Sequence, residues 1–93
     1  MNVQRAPSVH AAIRTLSEDE RQRVFAWFTH LENWENDAHT RKISGQTADK
    51  DVFNLNTSDD INIFFRLDAA KNEIAILDIA KLSRFAAAGA TSA

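Results

Sequence analysis

The hydrophobic positions change period near the middle of the chain. From Ser8 onward, Val9, Ala12, Ile13 and Leu16 recur at i, i+3, i+4 and i+7, which is one face of a short helix. Ser17-Glu18-Asp19-Glu20 then has the form of a capping box, in which a serine oxygen and a glutamate three residues on satisfy each other's orphan amides. Its acids also suit the positive end of a helix dipole. Val24, Trp27, Phe28, Leu31 and Trp34 form a second stripe, widened by Phe25 and set against Arg21, Arg23, Glu32 and Glu35, so the spacing predicts a helix to about Trp34. Two amphipathic helices joined at one capping residue cannot bury their stripes without a further layer.

That layer lies downstream. Residues 36–50 are polar and turn-rich, with Ile43 as the one apolar anchor, and predict an irregular connection. The period then becomes two. Phe53 and Leu55 alternate with Asn54 and Asn56; Thr57 to Asp60 is a turn cluster; Ile61, Ile63, Phe65 and Leu67 alternate with Asn62, Phe64, Arg66 and Asp68. After a turn at residues 68–72, the run from Glu73 to Leu82 is apolar on both faces and predicts an interior strand. Val3, shortly before Pro7, suits a short extended segment at the start.

The expected class is therefore α+β, in the order β-α-α-β-β-β, with a helical hairpin packed on one face of a small, mainly antiparallel sheet. One domain covers residues 1–85, and the alanine-rich residues 86–93 read as a flexible tail. Pairing Phe65 with Leu77, Ile63 with Ile79 and Leu67 with Ala75 makes the helix-facing layer wholly apolar. Asn62, Phe64, Arg66, Ile76 and Asp78 then fall on the opposite face, with Arg66 and Asp78 near enough for an ion pair. A slip of one residue would bury Asp78 in a dry layer.

Composition narrows the chemistry. The 93 residues are 44% hydrophobic and 26% charged, ordinary for one globular domain. No cysteine is present, which removes disulfides, a thiolate nucleophile and zinc-thiolate sites, and fits the cytoplasm. No apolar run approaches the roughly 20 residues of a membrane span, and the N-terminal residues lack the apolar core of a secretory signal. Eleven Lys and Arg against thirteen Asp and Glu leave a formal charge of −2, without the cationic excess of a typical nucleic-acid binder. His10, His30 and His39 lack ligand-like spacing, and no glycine-rich phosphate loop exists, so neither a metal nor a cofactor is expected. Trp27, Phe28 and Trp34 fall at core spacing. Phe64 falls on the open face, where an aromatic beside Arg66 suits an anchor for a partner chain.

The layout, with Asp60-Ile61-Asn62-Ile63-Phe64-Phe65-Arg66-Leu67-Asp68 and Ile76-Leu77-Asp78-Ile79-Ala80-Lys81, resembles the RelE/ParE superfamily of type II toxin–antitoxin toxins over roughly residues 3–85. Ala6-Pro7-Ser8 before the first helix and Ser44-Gly45 before the alternating strands are also in the style of that family. The resemblance implies a toxin neutralised by a cognate antitoxin that wraps it. It implies one of two activities: metal-independent, ribosome-dependent cleavage of mRNA, or poisoning of DNA gyrase. The departures bear on which. Asn62 stands where RelE-like nucleases usually carry arginine, and Asn54 and Asn56 lie where lysine or arginine is usual. Ala80-Lys81-Leu82 replaces the expected histidine or arginine. No tyrosine exists, and Phe85 cannot donate a proton.

On this resemblance, Lys81 and Arg84 are the candidate catalytic cations, and Asn62, Phe64, Arg66, Arg41 and Lys42 are candidates for a face binding antitoxin or nucleic acid. A neutral amide lacks the bidentate, charge-assisted grip of a guanidinium on phosphate. The alternatives are an mRNA interferase using Lys81 and Arg84, a gyrase-directed toxin, and a catalytically degenerate binding module. Homodimerisation through a sheet edge or the open face also stays open.

Overall fold

A computed structural model describes residues 1–57 and 60–81. The elements are β1 (Asn2–Arg5), α1 (Pro7–Arg14), α2 (Glu18–Glu32), α3 (Ala38–Ile43), β2 (Ser44–Gln46), β3 (Val52–Asn56), β4 (Ile61–Asp68) and β5 (Glu73–Lys81). The sheet has five strands in the order β1-β5-β4-β3-β2; β1 lies parallel to β5, and every other pair is antiparallel. The α+β class, the helix pair and the interior place of β5 follow the sequence pattern. The boundary at residue 85 and the tail 86–93 lie outside the described residues.

Local chemistry explains the helix starts. Pro7 opens α1 at a position where its missing amide hydrogen costs nothing. Ser17 Oγ accepts from the Glu20 amide at 3.2 Å, and the Ser17 amide donates to Glu20 Oε1 at 2.9 Å, which completes the capping box of α2. Residues 36–50 depart from the expected irregular connection and contain both α3 and β2. Asp37 caps α3 by accepting from the Thr40 amide at 3.0 Å, and β2 pairs with β3 from Ser44 opposite Leu55 to Gln46 opposite Phe53. Six helical and three extended residues are too few for either period to show in a hydropathy pattern.

The core lies between the helices and one sheet face. Val9, Ile13 and Leu16 meet Val24, Phe28, Leu31 and Trp34 over Leu55, Ile61, Ile63, Phe65, Ile74, Ile76 and Ile79. Phe65 lies within it with no exposed surface, its ring centroid 5.5 Å from those of both Trp34 and Phe53.

The register of β4 on β5 agrees with expectation at one end and not at the other. Ile63 pairs with Ile79, but Phe65 pairs with Ile76 and Leu67 with Ile74. A bulge between Phe64 and Phe65 on the β4 side leaves Leu77 as the extra residue on β5. Ile76, expected on the open face, is therefore fully buried under the helices, and Leu77 is half-buried. The physical reason lies in the spacing of Ile74, Ile76 and Ile79. Two steps of the pleat followed by a step of three keep all three on one side only if a residue is absorbed. Asp78 stays exposed, as the apolar-layer argument requires. Asp60 and Asn72 take positive φ of 62° and 54° next to the two hairpin turns, the residue types that tolerate this region best after glycine.

Candidate functional site: the open face of the sheet

Strand pairing fixes which side chains share the face away from the helices. One row runs Asn2, Glu73 and Asp68; the next Gln4, Ala75, Arg66 and Val52; the third Asp78, Phe64, Asn54 and Gly45; the last Ala80, Asn62 and Asn56. Asn62, Phe64 and Arg66 thus lie together on this face, as the pattern of alternation predicts. A Cβ added at Gly45 would meet nothing within 4 Å, so this end of the third row is open.

The other candidate cations are elsewhere. Lys81 pairs with Ile61, a residue of the helix-facing layer, and its Nζ lies 2.6 Å from Glu20 Oε2 at the start of α2. That lysine's hydrogen bond, followed by the Ser17 amide, lowers the Glu20 carboxyl from 4.5 to about 2. Arg41 Nη1 donates to the carbonyl oxygen of Trp34, a residue of the core. Lys42 is exposed on α3. Arg84 lies outside the described residues. The structure does not bring Lys81, Arg41 and Arg66 into one cluster.

Arg66 does not pair with Asp78 as expected. Its Nη2 lies 3.6 Å from Asp49 Oδ2, with both side chains more than half exposed, while Asp78 Oδ1 accepts from the amide of Ile79 at 2.8 Å. The bulge is the reason: Arg66 faces Ala75, and Asp78 faces Phe64. Arg66 also borders an open depression of about 450 Å³ lined by Asp51, Leu67, Asp68 and Ala69.

His30 faces a carboxylate on the chain that follows α2. Its Nδ1 lies 2.8 Å from Asp37 Oδ2. The Thr40 amide, and then His30, lowers Asp37 from 3.8 to about 2. This carboxylate links the end of α2 to the cap of α3.

Two features of the face escaped the hydropathy pattern. Asp68 and Glu73 pair across the β4–β5 hairpin, so with Asp78 the face carries three carboxylates against the guanidinium of Arg66. Their positions either side of the turn at residues 69–72 were the available signal. The second is a pair of orphaned amide atoms. Asn62 is 2% exposed, and among the described residues its Nδ2 and the Oδ1 of Asn54 on the neighbouring strand have no hydrogen-bond partner, although both atoms are shielded from solvent. The strand residues described on this face include no histidine, lysine or tyrosine.

No family model and no curated protein sequence matches the chain. Solved structures do. The crystal structure of the isolated RelE toxin of E. coli superposes with a TM-score of 0.68 at 10% identity, over 86% of this chain and 82% of that one. A toxin–antitoxin complex, RelBE2 of Mycobacterium tuberculosis, matches with a TM-score of 0.59 at 11% identity, over 86% of this chain and 88% of that one. The helix pair on one face, the mainly antiparallel five-stranded sheet and these superpositions together establish that the chain has the RelE-like toxin fold.

Proposed function

We propose that this protein is the cytoplasmic toxin component of a type II toxin–antitoxin pair, neutralised by binding a cognate antitoxin, and that it acts by binding its target, with weak or absent ribonuclease chemistry. The observation that carries the reading is the dispersal of cations on a RelE-like scaffold. Asn62 takes the strand position where the resemblance calls for arginine, and Lys81 is held at 2.6 Å by Glu20 on the helix side. A phosphorane transition state needs preorganised positive charge aimed at its oxygens. Here one guanidinium, already beside Asp49, is what the described open face offers.

Among the described residues, the open face gathers no cluster of cations, which favours a protein target and ranks gyrase inhibition above mRNA cleavage in this reading. Induced expression tests this, combined with primer extension on cellular mRNA, a gyrase supercoiling assay, and co-expression of a short adjacent reading frame. The expected result is growth arrest relieved by the adjacent gene, without codon-periodic cuts. Periodic cuts that vanish in a Lys81→Ala variant would restore the interferase. Absence of toxicity would leave a degenerate binding module.

A further inference from the structure

The edge of the sheet next to α2 offers unpaired backbone. β1 is an outermost strand. The Asn2 amide donates to the carbonyl of Asn72 and the Ala6 amide to that of Ile76, both at 2.9 Å, so the parallel register turns Asn2, Gln4 and Ala6 toward β5. The amides and carbonyls of Val3 and Arg5 therefore point outward, where among the described residues they meet no hydrogen-bond partner. Such a row of free groups is a template for another extended chain.

α2 runs alongside this edge. At one end the Met1 nitrogen donates to the carbonyl of Glu32. At the other, the Arg5 guanidinium lies 5.3 Å from the ring centre of Phe25 and 5.0 Å from that of Phe28. Phe25 is 39% exposed, a large apolar side chain left outside the core. Arg21 stands one turn before it on the same flank of the helix. No carboxylate among the described residues lies within ion-pair distance of Arg5 or Arg21; Glu18 and Glu32 mark the two ends of α2. An open ladder, an exposed ring and two arginines without a carboxylate thus meet along one margin.

We propose that the free edge of β1 accepts an extended, acidic segment of a partner protein as an added strand, whose backbone bonds to Val3 and Arg5, whose carboxylates meet Arg5 and Arg21, and whose apolar residue covers Phe25. Main-chain bonds supply the affinity of such an addition, and side chains its selectivity. The guanidinium of Arg5 keeps its face on the rings and gives its edge to a carboxylate. A second copy of the chain is disfavoured as occupant. Pairing two β1 edges would bring the strands to about 4.8 Å, with both α2 helices on one side of the joined sheet, where helix axes need about 8–10 Å. A basic segment would face two guanidiniums. RNA has anions for the arginines but no peptide groups to complete the ladder. The inference goes beyond the toxin–antitoxin reading, because it identifies the segment by its chemistry, whichever protein carries it.

The test uses the full-length protein labelled with ¹⁵N and three probes: a ten-residue peptide alternating valine and glutamate, its counterpart with lysines for glutamates, and a ten-nucleotide RNA. The glutamate peptide is expected to shift the amides of β1 and of α2 around Phe25, and to slow hydrogen exchange at Val3 and Arg5. Its Kd should rise about tenfold in Arg5→Ala, which is expected to fold normally because Arg5 is exposed. Arg5→Pro removes the same guanidinium and one outward amide hydrogen, while the amides of Asn2, Gln4 and Ala6 still reach β5. It should bind about fivefold more weakly than Arg5→Ala.

Stronger binding by the lysine peptide or the RNA would overturn the proposal. So would shifts centred on β3 and β4 rather than β1, equal affinities in Arg5→Ala and Arg5→Pro with exchange at Val3 and Arg5 unslowed, or shifts of β1 that grow with protein concentration in the absence of peptide. The absence of any shift at millimolar peptide would overturn it as well. None of these measurements depends on toxicity, so the outcome leaves the toxin–antitoxin reading to its own test.

Discussion

At the scale of single residues, neighbouring positions on one strand have opposite consequences. Phe65 contacts Trp34 and Phe53 in a closed layer, so Phe65→Ala is expected to cost about 3–5 kcal/mol. Phe64, one residue earlier, faces away from the helices and is half-buried. Phe64→Ala should cost about 1–2 kcal/mol and weaken partner binding, and urea unfolding of the two variants checks the contrast. Glu20 gives the pH prediction. Its folded pKa of about 2 lies below the ordinary 4.5, so its contribution is complete above about pH 4.5 and is lost as pH falls toward 2. Glu20→Gln keeps a capping side chain but removes the charge beside Lys81. The expected loss is about 1 kcal/mol at pH 7, shrinking toward zero near pH 2 in paired denaturation curves. That capping box was legible in Ser17 and Glu20 because capping depends on residues three apart in sequence. The Lys81 partnership was not, because it joins the end of the last described strand to the start of a helix 61 positions earlier, a separation no local pattern spans.

At the scale of elements, long periodic segments were readable and short ones were not. α2, β4 and β5 each run eight residues or more and announce themselves by period, whereas α3 and β2 depend on one cap and on pairing to β3. Asp37→Ala should therefore act locally. Removing the cap is expected to loosen α3 and to raise amide exchange in residues 38–44 first, while α2 keeps its protection. The bulge makes a sharper prediction. Deleting Leu77 leaves Ile76 opposite Phe65 and Asp78 opposite Phe64 with regular alternation, so the fold should survive with a loss within about 1–3 kcal/mol. Adding one alanine after Asp78 instead sends Ile79 to the open face, and circular dichroism should report gross loss of structure.

At the scale of the whole molecule, the fold was legible because an apolar stripe, a capping signal and a change of period agreed on one layered solution. The character of the open face was less so, since it depends on which rows the strands bring together. A net charge of −2 and the dispersed cations predict weak attraction for polyanions. The protein should pass through a heparin column at 0.15 M salt, and RNA affinity should vary with salt far less steeply than a six-phosphate contact would require. The pairing of β1 with β5 has a further consequence for biogenesis. Asn2 aligns with Glu73 and Arg5 with Ile76, so the residues of β1 must wait, without this partner, until the last described strand has been synthesised. A nascent chain stalled before residue 73 would expose one whole flank of its ribbon, which makes translation itself the period when chaperones and proteases compete for this polypeptide.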